Sequence, residues 1–103
     1  MRHYNTEAEY QAHVIKVCKE MFPGATVKKL TPPPQGIPDV WIFHTNGKSA
    51  FLECKKSEDE PRQPNQEYYV EKYNREAAYA NFIFPENEKE VLNELQQALG
   101  PGR

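Results

Sequence analysis

The stretch QGIPDVWIFHTNGKSAFLECKKS, residues 35–57, leaves this chain little conformational freedom. Two apolar runs, Val40–Phe43 and Ala50–Leu52, flank Asn46-Gly47. That dipeptide takes the positive φ angles of a tight two-residue turn at little cost, so the stretch predicts an antiparallel hairpin. Such a turn pairs residues near 43 and 50, and continuing the ladder brings 39–40 beside 53–54. A hairpin needs no charge at its open end, yet Asp39, Glu53 and Lys55 all stand there.

Side chains alternate along a strand, which sends Glu53 and Lys55 to one face and Leu52 and Cys54 to the other. Asp39 and Glu53 become neighbours, and two adjacent carboxylates repel unless a positive charge lies between them. Mg²⁺ suits that place, since it takes one or two carboxylates, waters and substrate phosphate oxygens. Lys55 lies one pleat on, where its ammonium can reach a water or phosphate held by the metal. A bound metal lowers the pKa of water, and the lysine orients that water or offsets developing charge. This is the chemistry of phosphodiester hydrolysis.

The remaining chain frames the hairpin. Thr6 and Glu9 have capping-box spacing, predicting a helix from about residue 7 with an inward stripe of Tyr10, Val14, Val17 or Cys18, and Met21. One step back along that stripe is Glu7, which could supply a third carboxylate or simply favour the helix dipole. Pro23-Gly24 ends the helix. Ala25–Leu30 reads as a short strand, and Thr31–Pro34 as a stiff segment that cannot enter a sheet interior. Ser57–Gln63 is a charged loop. Pro64 fits the first turn of a helix to about Arg75 that presents Tyr69, Val70 and Tyr73. Tyr79–Phe84 is a further strand. Asn87 is placed to cap a last helix, Glu88–Leu99, with Val91, Leu92, Leu95 and Leu99 inward. Residues 100–103 read as a frayed tail. The order is α-β-β-β-α-β-α, an α/β chain whose bridging helix implies one crossover in a mixed sheet of about four strands flanked by helices.

Bulk properties narrow the classes. A length of 103 residues supports one domain over residues 1–103, and 38% hydrophobic with 27% charged residues fits a soluble chain. No apolar run approaches the ~20 residues that span a bilayer. The N-terminal MRHYNTEAEY lacks a secretory apolar stretch, so a cytoplasmic place is expected. Cys18 and Cys54 have no Cys or His at ligand spacing, and His3, His13 and His44 are scattered; buried free thiols are expected rather than zinc. The net charge of −2 means that phosphate contacts must come from local clusters, of which Lys28, Lys29, Lys56 and Arg62 are the candidates for DNA. A solvated surface is the competing reading of those residues. Trp41 and Phe43 read as core rather than a base-stacking platform, and His13 as a surface residue.

Gly36-Ile37-Pro38-Asp39, the fourteen-residue step to Glu53-Cys54-Lys55, and a following helix that begins Gln63-Pro64-Asn65-Gln66 resemble the PD-(D/E)xK nucleases. Within that superfamily the chain is most similar to the VRR-Nuc (virus-type replication-repair nuclease) branch, from the Thr6–Gln11 helix start to Glu90–Leu95. The resemblance implies a restriction-endonuclease-like core and an endonuclease dependent on Mg²⁺, with Mn²⁺ as substitute. It implies that Asp39, Glu53 and Lys55 are catalytic and that Asp39, Glu53 and the Cys54 main-chain carbonyl hold the metal. Gln66 matches a glutamine near the metal, and Glu7 matches a first-helix acid, with Glu9 as the alternative. Stand-alone members of this branch resemble homodimeric resolvases of bacterial or phage-infected cells. They cut branched DNA such as four-way (Holliday) junctions, with no membrane partner and no small-molecule cofactor. A nicking or linear-duplex nuclease of the same fold, or a non-catalytic DNA-binding or interaction module, are the rival expectations. Neither the Gly-x-Pro-Asp turn nor the Glu-x-Lys pattern means much alone; their joining across the hairpin carries the reading.

Overall fold

The computed structural model describes residues 3–30 and 36–103, so the predicted stiff segment Thr31–Pro34 lies outside the described residues. Helix α1 (Glu7–Met21) begins where Thr6 Oγ1 accepts the Glu9 amide at 3.1 Å, as the cap spacing predicts. Strands β1 (Thr26–Lys29), β2 (Val40–Phe43) and β3 (Ser49–Cys54) follow. Helix α2 (Pro64–Glu76) then crosses to β4 (Tyr79–Ile83), and α3 (Glu88–Leu99) closes the order α-β-β-β-α-β-α. The sheet runs β1-β2-β3-β4, antiparallel through β3 and parallel between β3 and β4. The chain is therefore α/β with a four-stranded mixed sheet flanked by helices.

The β2–β3 hairpin departs from the predicted two-residue turn. His44 N–H donates to the Lys48 carbonyl at 2.8 Å, leaving a three-residue loop, Thr45–Gly47, with Gly47 at φ 91°. Phe43 consequently pairs with Ser49, not Ala50, and Val40 with Leu52. The apolar alternation decides this. A two-residue loop would set Val40 against Glu53, whereas the observed register stacks Val40, Ile42, Ala50 and Leu52, all fully buried, on one face. A three-residue loop ending in a left-handed glycine is the next commonest hairpin connection.

That buried face packs under α1 and α3 in one cluster with Tyr10, Val14, Cys18, Ile83, Val91, Leu95 and Leu99. Complete burial of a leucine or isoleucine stabilises by about 1.5–3 kcal/mol, so this layer supplies most of the driving force. The inward stripe of α1 takes Cys18 rather than Val17 and includes Gln11. A second, smaller cluster lies beneath α2, where Val70 meets Ala80, Phe82 and Phe84.

Helix α2 covers β3 and β4 but not the β1–β2 half of its face. Trp41 and Phe43, expected in the core, belong to neither buried cluster, and Phe43 is 41% exposed. Asn87, expected to cap α3, makes no side-chain cap bond; it ties back to the Phe84 amide and the Phe82 carbonyl instead. Asn46 Nδ2 donates to the Leu99 and Pro101 carbonyls, and the Arg103 amide donates to Thr45 Oγ1, seating the tail on the hairpin loop. Among the described residues no helix is long and apolar enough to cross a membrane.

Candidate metal centre

The site begins where the β2–β3 ladder ends. Val40 and Leu52 form its last registered pair, so the next opposed residues are Asp39 and Glu53. His44 and Lys48 form a hydrogen-bonded pair, and alternation along the ladder makes 39 and 53 a non-hydrogen-bonded one. Pairs of that kind bring side chains closest, with Cα atoms about 4.5 Å apart. The three-residue loop thus faces the two acids directly, where a two-residue loop would have opposed Asp39 to Cys54.

Asp39 is fixed from three sides. Its carbonyl accepts the Leu30 amide at 2.9 Å, which extends the β1–β2 ladder by one bond. Pro38 cannot donate and its carbonyl takes Trp41 Nε1 at 2.8 Å. The Cys54 amide therefore turns to Asp39 Oδ1, at 3.1 Å. Gln11 Nε2, reaching down from α1, donates to Asp39 Oδ2 at 2.7 Å. Glu53 is only 5% exposed and is held from the other layer, where Gln66 Nε2 of α2 donates to Oε2 at 3.3 Å. The Gln66 orientation follows from its other end, since Oε1 accepts the Gln63 amide at 2.9 Å in a capping box.

Two carboxylates so placed are held far from their ordinary behaviour. Burial pushes Glu53 up to about 8, reinforced by the Asp39 charge and opposed by Lys55. Burial likewise lifts Asp39 to about 6, although the Cys54 amide and Gln11 both favour its ionised form. Desolvation outweighs the hydrogen bonds. Burial thus favours the protonated acids, whose protons an arriving cation displaces, and the donors are all oxygen, which suits a hard divalent cation.

Lys55 is the cation beside the pair, 6% exposed. Its Nζ donates to the Pro61 carbonyl at 3.2 Å and lies 3.9 Å from Glu7 Oε1. Glu7 is thus drawn to Lys55, with its side chain 45% exposed, while Glu9 is an exposed residue of the same turn. Among the described residues no three His, Cys, Asp or Glu side chains group as a metal cage, and the Glu7 charge acts on both Asp39 and Glu53. A cleft of about 520 Å³ opens here, lined by Thr6, Glu7, Lys55, Lys56, Pro61 and Gln66 among others. It gives a ligand access to the lysine.

The basic residues proposed for DNA do not form one patch. Lys28 and Lys29 are exposed on β1 at the sheet edge. Lys56 lines the cleft and pairs with Glu60 at 3.4 Å. Arg62 lies over the Phe82 ring at 4.0 Å and 3.9 Å from Glu67. His13 is a clamp rather than a free surface residue: it and Tyr10 both bond Glu88, at 3.0 and 2.8 Å, fixing α1 to α3. Both cysteines are buried and free, and burial pushes their thiols well up, to about 12 for Cys18.

No family model matches the chain, and neither a curated protein nor a solved structure does. Gln11 is the site residue that sequence reasoning missed. The available signal was its phase: positions 7, 11, 14 and 18 share one helix face, and an amide inside an apolar stripe requires a buried partner.

Proposed function

We propose that this chain is a metal-dependent endodeoxyribonuclease of the VRR-Nuc kind within the PD-(D/E)xK superfamily. The observation that supports it most is the opposition of half-buried Asp39 and buried Glu53 at the end of the β2–β3 ladder, both with raised pKa values, with Lys55 just past the end of β3. Asp39, Glu53 and the Cys54 main-chain carbonyl would hold Mg²⁺ or Mn²⁺. Such an ion, when bound, lowers the pKa of a water and polarises a phosphoryl oxygen.

The chain's own residues then have defined tasks. Asp39 and Glu53 give up their protons to bind, which their raised pKa values make pH-dependent. Gln66 keeps the Glu53 carboxylate in one orientation. Lys55, held by the Pro61 carbonyl at the cleft, presents its charge to the phosphate oxygens as negative charge builds there. Water oxygen bonds to phosphorus, the bond to the leaving sugar oxygen breaks, and the proton of the water leaves with it or to solvent. Glu7, 3.9 Å from Lys55 Nζ, would help to hold that lysine.

Branched DNA, four-way junctions included, is the proposed substrate, cut by a homodimer. One chain offers one such site, and symmetric incision of a junction needs two related by a two-fold axis. The test compares four-way junction, flap, single-strand and linear duplex substrates in Mg²⁺, in Mn²⁺ and in EDTA. Metal-dependent incision of the junction, lost in Asp39→Asn, is expected. Incision of linear duplex alone refutes the substrate reading, and binding without incision in either metal refutes the catalytic one.

A further inference from the structure

We propose that Gln11 is a positioning residue for the metal site, aligning Asp39 from α1 as Gln66 aligns Glu53 from α2; the inference rests on the metal reading above. Gln11 is 7% exposed in a stripe otherwise built of Tyr10, Val14 and Cys18. An apolar residue there would fill the same layer without burying an amide, whose desolvation is unfavourable unless it is bonded. The amide is bonded to one group, Asp39 Oδ2, at 2.7 Å.

Neutrality is the point of the arrangement. An arginine or lysine at this position would also hold Asp39, but its charge would occupy the field that a divalent cation requires. An amide orients the carboxylate and leaves its charge for the ion. With the Cys54 amide on Oδ1, the carboxylate is held at both oxygens, so its plane is set before any metal arrives. Each oxygen keeps a second lone pair for coordination. Partners of this kind, one shell out from a metal, typically change affinity by about 10–100-fold when removed.

The experiment is calorimetric titration of Mn²⁺ into wild type, Gln11→Met, Gln11→Lys and Asp39→Asn, with urea unfolding of each protein free of metal. Methionine keeps the length and apolar bulk and removes the donor. We expect Gln11→Met to bind Mn²⁺ about 10–100-fold more weakly while its cleavage rate at saturating Mn²⁺ also falls. Gln11→Lys should bind Mn²⁺ at least as weakly, yet unfold at higher urea than Gln11→Met because it regains a partner for Asp39. Should Gln11→Met not fold, the lysine variant still decides: wild-type Mn²⁺ affinity in it overturns the proposal. So does a Gln11→Met protein that loses stability but binds Mn²⁺ as wild type does, the mark of a merely structural amide. Failure of the metal reading itself looks different, because wild type and Asp39→Asn would then give the same heats.

Discussion

Gly36→Ala probes how the turn before Asp39 is fitted to α2. Gly36 has φ 87°, and a Cβ added there would stand 2.5 Å from Asn65 Cβ and 3.0 Å from the Asn65 carbonyl carbon. Gly47 has a similar φ of 91° with nothing within 4 Å of the same built atom. The two glycines therefore separate backbone strain from close approach. Alanine in the left-handed region costs about 1–2 kcal/mol, which is the whole expected effect at Gly47. At Gly36 the forced displacement of Asn65 adds about 1–3 kcal/mol, as overpacking typically does. For a chain near 100 residues each kcal/mol shifts Tm by roughly 4–8 °C, so the two variants should be well resolved in a thermal melt. The second readout is Mn²⁺ affinity. Asn65 precedes Gln66, so moving it loosens the grip on Glu53 in Gly36→Ala and leaves Gly47→Ala with wild-type heats. Equal destabilisation of the two variants, or unchanged Mn²⁺ binding in Gly36→Ala, would refute the coupling between this turn and the site.

Three further outcomes are expected. The folded protein holds the Asp39 and Glu53 protons up to about 6 and about 8, well above the unfolded carboxylate range, so it binds more protons than the unfolded chain across that window. Metal-free stability contributed by the pair is thus full at acid pH and lost as pH rises towards 8. Urea midpoints of wild type minus Asp39→Asn should fall with pH, and a rising difference contradicts the assignment. Lys55→Ala should bind Mn²⁺ nearly as wild type but cleave about 10²–10³-fold more slowly, whereas cleavage at the wild-type rate makes Lys55 a bystander. Glu7→Gln should slow cleavage by freeing Lys55, with Glu9→Gln silent; a crippled Glu9→Gln beside a silent Glu7→Gln reverses the helix phase.

The order of all seven elements was legible because each carries its own period or cap: Thr6 before α1, Pro64 opening α2, and alternation on both sides of Asn46-Gly47. The meeting of Asp39 and Glu53 was legible only to within a residue. Asn-Gly favours a two-residue loop locally, but burial of Val40 and Leu52 outweighs that preference, and a turn dipeptide does not report what its strands must bury. That Trp41 is only half-buried and Phe43 exposed was hidden for a related reason. Their apolarity is plain, but which strands α2 covers depends on its docking, and it docks over β3 and β4. Gln11 was passed over because a polar residue in a stripe looks like an interruption until its partner, 28 positions away, is known.

Trp41 is the single tryptophan of the chain, and its indole nitrogen is bonded to the carbonyl of Pro38, next to Asp39. The molecule therefore carries its own optical reporter at the carboxylates. On the proposed metal reading, paramagnetic Mn²⁺ between Asp39 and Glu53 would quench a nearby indole, whereas diamagnetic Mg²⁺ would move its emission only by shifting Pro38. A fluorescence titration with the two ions in competition would read occupancy of the site without label, substrate or turnover.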